Sequence, residues 1–63
     1  MTIYVVMRHL PGREAVPVRA ADSMSVATMH AIDLDNEATS HGSEAVHVVV
    51  PVTLETGDIH GHS

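Results

Sequence analysis

Ser23-Met24-Ser25-Val26-Ala27-Thr28-Met29-His30-Ala31-Ile32-Asp33-Leu34-Asp35 is the stretch whose reading decides the fold. Taken with a period of two, it places Val26, Thr28, His30, Ile32 and Leu34 on one face of a strand, with Ala27, Met29, Ala31, Asp33 and Asp35 on the other. Taken with a period of 3.6, Met24, Ala27, Ala31 and Leu34 form a thin stripe, with Asp22 or Ser23 as the N-cap. Three β-branched residues, the alternation over residues 30–35 and the lack of a capping box favour the strand. The sequence therefore predicts a mainly β fold, a small antiparallel sheet or open barrel of about four strands. A helix over about 23–35 is the alternative and would give an α+β chain of order ββαβ.

The flanking segments are less equivocal. Residues 45–56 alternate strictly: Val46, Val48, Val50, Val52 and Leu54 on one face, His47, Val49, Pro51, Thr53 and Glu55 on the other. Val and Thr favour the extended backbone, so this is a strand with one apolar face and one mixed face. Residues 2–10 make a second strand. Ile3, Val5 and Met7 share one of its faces, and Tyr4, Val6, Arg8 and Leu10 the other. With both faces largely apolar, it reads as a central strand or one covered on two sides.

Pro11-Gly12 then breaks the pattern, Pro presetting the first torsion of a type II turn and Gly accepting the positive φ of the second. Two-residue hairpins prefer the mirror-image turns, so a wider loop is expected here. Residues 15–21 resume the alternation with Val16, Val18 and Ala20 against Pro17, Arg19 and Ala21. Pro17 and Pro51 donate no backbone hydrogen bond, which assigns their strands to the two edges and residues 2–10 to the inside. Residues 36–44 read as a polar loop tightest at Gly42, and 57–63 as a flexible tail of one small domain, 1–63.

Composition bounds the function. The chain has 63 residues, one Tyr, no Phe, no Trp and no Cys, so its apolar bulk is ten Val, three Ile, three Leu and four Met. Chains this small without a disulfide or metal staple commonly complete their core by association. Eight carboxylates face three Arg and no Lys, for a formal charge of −5. Arg8, Arg13 and Arg19 cannot make the basic surface that nucleic acid requires, and the lack of Lys excludes Schiff-base chemistry and a Walker-type phosphate loop. No apolar run approaches the roughly 20 residues that span a bilayer, and the opening residues carry neither a basic leader nor a cleavage site. Asn36-Glu37-Ala38 fails the glycosylation pattern. A soluble, intracellular protein is expected, bacterial or viral to judge from its Lys-free, Ala- and Val-rich usage.

The chain carries six His. Protonating all six takes the formal charge from −5 to +1, so solubility or assembly is expected to change between about pH 7 and 5. His60 and His62, with Asp58 nearby, would point the same way in an extended chain, and His41 or His47 could add a third or fourth metal ligand. No Cys supports that set, so no metal is assigned. His9 and His30 fall on inward strand faces, where a hydrogen-bonded imidazole at the core margin is the simpler reading. Ser40-His41-Gly42-Ser43 sets a nucleophile type beside a base type, but adjacent side chains rarely converge and nothing marks an oxyanion hole. Asp33, Asp35 and Glu37 would line one side of a strand, yet they lack the Gly and spacing of a cation loop.

No catalytic residue, cofactor or small-molecule substrate is expected. The functional expectation rests on the second apolar face. Tyr4, Val6, Arg8, Leu10, His47 and Val49 are the candidate contact surface for another chain, unless a closed barrel or a helix covers them. The chain reads as a non-enzymatic assembly subunit that binds its own copies or a larger complex, for example a virus capsid accessory protein. A small inhibitor of another protein and a His-based metal-binding module are the alternatives. Neither nucleic acid nor membrane is expected as a partner.

Overall fold

The computed structural model describes residues 1–54. Three strands and one helix follow one another as β1 (Thr2–His9), β2 (Val16–Ala21), α1 (Met24–Ser40) and β3 (Val46–Thr53). The strands form one antiparallel sheet of order β2-β1-β3, with α1 packed on one face. The chain is thus α+β with strands dominant, and of the two readings of residues 23–35 it adopts the helix. The fourth strand expected there is absent from the described residues.

The edges follow the prolines. β1 lies between two proline-bearing strands, Pro17 in β2 and Pro51 in β3. β1 and β2 are joined through a turn in which Arg13 N–H donates to the Leu10 carbonyl at 3.1 Å. Gly12 sits at φ 73°, as position i+2 of a type II turn demands, and the connection from β1 to β2 is wide, as expected. Pairing with β2 slips by one residue: Val6 faces Arg19 but Met7 faces Pro17. Val18 is the extra residue of this bulge, and it packs against the core under α1.

Helix α1 starts at Ser23, whose hydroxyl accepts from Val26 N–H at 3.4 Å. It runs past residue 35 through the segment read as a polar loop, because nothing before Gly42 breaks it. Gly42, at φ 73°, ends it with a paired closure: Ser43 N–H donates to the Ala38 carbonyl at 2.8 Å and Gly42 N–H to the Thr39 carbonyl at 3.0 Å. The helix overrides its β-branched residues for a tertiary reason. Seventeen helical residues span about 25 Å, matching the roughly 26 Å of an eight-residue strand. One helix therefore covers one face of the sheet along its length.

The buried residues of α1 are Ala27, Ala31 and Leu34, the stripe at i, i+4 and i+7. They close on Val6, which is fully buried, with Tyr4, Val18, Ala21 and Val49 packed around it. Met24, the fourth member of the expected stripe, is exposed. Small side chains at 27 and 31 let the helix approach the sheet closely. They also leave the core thin: among the described residues Val6 is the only large apolar side chain that is completely enclosed.

Candidate interaction surface

In an antiparallel pair, residues directly opposite each other point to the same side. Tyr4 faces Pro51, Val6 faces Val49 and Arg8 faces His47, so these six share the side under α1. Ile3 faces Val52, Val5 faces Val50 and Met7 faces Val48, and these share the other side. β2 adds Ala20, opposite Val5, and Pro17, opposite Met7, to that second side. No described element covers it. Val46, Val48 and Val50 are 53%, 38% and 40% exposed, while Ile3, Val5, Met7 and Val52 are shielded only partly by their neighbours.

The structure therefore places most of the expected contact residues under the chain's own helix. Tyr4 and Val49 pack against the core and Val6 is enclosed within it, so the helix takes the place foreseen there for another chain. Leu10 stands at the sheet's end, 37% exposed. The uncovered surface is the richer apolar face, which the sequence pattern points inward. The reason is topological. β2 and β3 both run antiparallel to β1, so β2-α1-β3 is a crossover between parallel strands, and such crossovers are right-handed almost without exception. Handedness selects the side that the helix covers, and strand register decides which residues stand there.

Arg8 and His47 do different work. Asp35, on α1, accepts from the His47 backbone N–H at 2.9 Å and from its Nδ1 at 2.7 Å. Arg8 donates its Nε–H to His47 Nε2 at 3.1 Å. Both contacts agree on a neutral imidazole with its proton on Nδ1. The His47 side chain is buried, and its hydrogen bond holds the Asp35 carboxyl below the usual carboxylate range, against a smaller opposing effect of burial. The chain Asp35–His47–Arg8 ties α1 to β3 and β1. It occupies both imidazole nitrogens, so His47 has no free lone pair with which to act as a base. An open cleft of about 370 Å³ lies beside it, lined by Arg8, Leu34, Glu37, His41 and Ser43 among others.

The remaining candidates do not converge. His30 Nδ1 lies 3.1 Å from Arg19 Nη1 across the helix–sheet seam, and His9 is exposed at the end of β1. Ser40 donates its hydroxyl to the Glu37 carbonyl, and Ser43 Oγ accepts from Ala45 N–H, so neither hydroxyl is paired with His41. Asp33, Asp35 and Glu37 are split by the helical period, with Asp35 alone engaged by His47. Among the described residues no three His, Asp or Glu side chains are grouped to hold a metal. Asp58, His60 and His62 lie outside the described residues. No helix among the described residues is long and apolar enough to cross a membrane.

No protein-family model matches this chain, and neither a characterised protein nor a solved structure is significantly similar to it.

Proposed function

We propose that this protein is a non-enzymatic assembly subunit that acts by burying the open face of its sheet against another polypeptide. One observation carries the reading: the apolar side of β1 and β3 opposite α1 is bare while the enclosed core is small. Covering Ile3, Val5, Met7, Val48, Val50 and Val52 returns roughly 25 cal/mol for each Å² removed from water, a gain the isolated fold forgoes. Contiguous apolar surface of this kind marks contact sites on soluble proteins. A subunit that completes an oligomer of its own and an accessory protein seated on a larger shell, such as a virus capsid, are both forms of this activity. Inhibition of a target protein would use the same face.

The test is a comparison of bare-surface exposure in variants. The purified chain at low micromolar concentration should bind an apolar-surface dye, and dye binding should fall when the face is occupied. Val50→Glu should abolish dye binding while the far-ultraviolet dichroism of the helix and sheet is unchanged. A wild-type chain that binds no dye and stays monomeric at every concentration would overturn the reading.

A further inference from the structure

We infer that the occupant of the open face is a second copy of this chain, stacked sheet against sheet with the helices outside. This rests on the assembly reading above and names its partner.

Size permits it. β1 and β3 have eight residues and β2 six, so at about 3.3 Å per residue and about 4.8 Å between strands the face measures at most roughly 26 by 14 Å. Side chains stand out of that plane, so closing two such faces removes on the order of 1,000 Å² in total. That is the size of a weak, reversible interface, in keeping with a dimer that forms only at high micromolar concentration.

Charge permits it and discourages other partners. The face formed by Ile3, Val5, Met7, Pro17, Ala20, Val46, Val48, Val50 and Val52 carries one ionisable group, His9, which stands opposite Val46 at the end of β1, and it carries no carboxylate or guanidinium. A partner relying on ion pairs would find only His9, at one end. Among the described residues the carboxylates lie in the connections (Glu14, Asp22, Glu44) or on α1 (Asp33, Asp35, Glu37). With sheets about 10 Å apart and helices outside them, the acidic helices of two copies are separated by more than a Debye length at physiological salt. The exposed apolar residues of α1 make no comparable surface, because Met24, Val26, Met29 and Ile32 are interspersed with Ser25, Asp33 and Asn36.

Shape selects the arrangement. The β2 margin of the face is low, with Ala20 and Pro17, and the β3 margin is higher, with Val46, Val48, Val50 and Val52. A two-fold axis parallel to the strands lays each low margin over the high margin of the other copy. Ala20 and Val50 both stand level with Val5, so Ala20 meets Val50 of the second copy and Val5 meets its own equivalent near the axis. An axis across the strands would stack low on low and leave a gap.

The experiment uses the full chain, whose lack of Cys makes it a clean background. Mass measured by sedimentation should double between low and high micromolar concentration, and Val5→Asp should weaken the dimer at least about 100-fold, the carboxylates meeting at the axis. Since Val5→Asp could unfold a chain that needs its partner, cross-linking gives a second readout. Chains carrying Ala20→Cys mixed with chains carrying Val50→Cys should join through a short bismaleimide, whereas chains carrying Met29→Cys should not. A chain that stays monomeric to several hundred micromolar while its face still binds the dye would overturn the second copy and leave the assembly reading standing. A dimer joined through Met29→Cys, or unaffected by a folded Val5→Asp, would overturn the sheet-on-sheet arrangement.

Discussion

A single oxygen of Asp35 accepts both N–H groups of His47, the backbone one at 2.9 Å and the Nδ1 one at 2.7 Å. The contact fastens the second half of α1 to the start of β3, an edge strand with no neighbouring strand on its outer side among the described residues. It carries a pH signature. The His47 hydrogen bonds hold the folded Asp35 carboxyl below its ordinary value of 3.8. A folded value below the unfolded one means the contribution is complete above the unfolded value and is lost as pH falls through the folded one. The wild-type chain should therefore lose stability below about pH 4 more steeply than Asp35→Asn. Equal acid slopes for the two proteins in urea melts would show that the contact contributes nothing.

Neighbours on β1 should respond unequally to the same change. Val6 is fully enclosed by Ala27, Ala31 and Leu34, so Val6→Ala should cost about 2 kcal/mol and lower the melting temperature by about 10 °C. Val5 stands on the open side, so Val5→Ala, measured where the chain is monomeric, should cost well under half as much. Thermal melts of both at low micromolar concentration decide it, and equal losses would mean the helix does not define the buried side.

Gly42 is the residue that stops α1. Its φ of 73° is costly for any residue with a Cβ, although nothing lies within 4 Å of where that Cβ would stand. Gly42→Ala should thus destabilise by about 1 kcal/mol through backbone strain alone. A D-alanine placed there by chemical synthesis should match or exceed the wild type. Equilibrium unfolding of the two synthetic chains separates strain from packing.

Pro51 keeps β3 from growing. The strand lies at the sheet's margin, and Pro51 removes one of the backbone donors there. Pro51→Val should leave the monomer folded but raise its tendency to form cross-β aggregates, read as thioflavin fluorescence during slow agitation. An unchanged lag time would show that Pro51 is not what limits growth at this edge.

Much of the fold is legible in the residues themselves. Pro17 and Pro51 place their strands at the edges, Pro11-Gly12 sets the turn, and the alternation of residues 46–54 identifies β3. These are local effects, fixed by ring geometry, positive φ and the two-residue repeat of an extended chain. The helix is half legible: Ser23 and the spacing of Ala27, Ala31 and Leu34 are visible, but Val26, Thr28 and Ile32 pull the reading towards a strand. Its extension to Ser40 is not legible, because polar residues suit a solvated helical turn as well as a loop. The engagement of Asp35 with His47 joins residues twelve apart across two elements, and no spacing rule announces it.

What the sequence determined by itself is the inventory: strands with two usable faces, punctuated edges, little apolar bulk and no grouped chemistry. Which face is enclosed was decided only by the tertiary structure. Alternation says that Val5 and Val6 point opposite ways, and apolarity alone favours burying the Val5 side. Connectivity and register together put α1 on the Val6 side instead: a crossover between parallel strands closes with one hand, and the strand register sets which residues face it. The oilier surface of the sheet is therefore left uncovered by any described element.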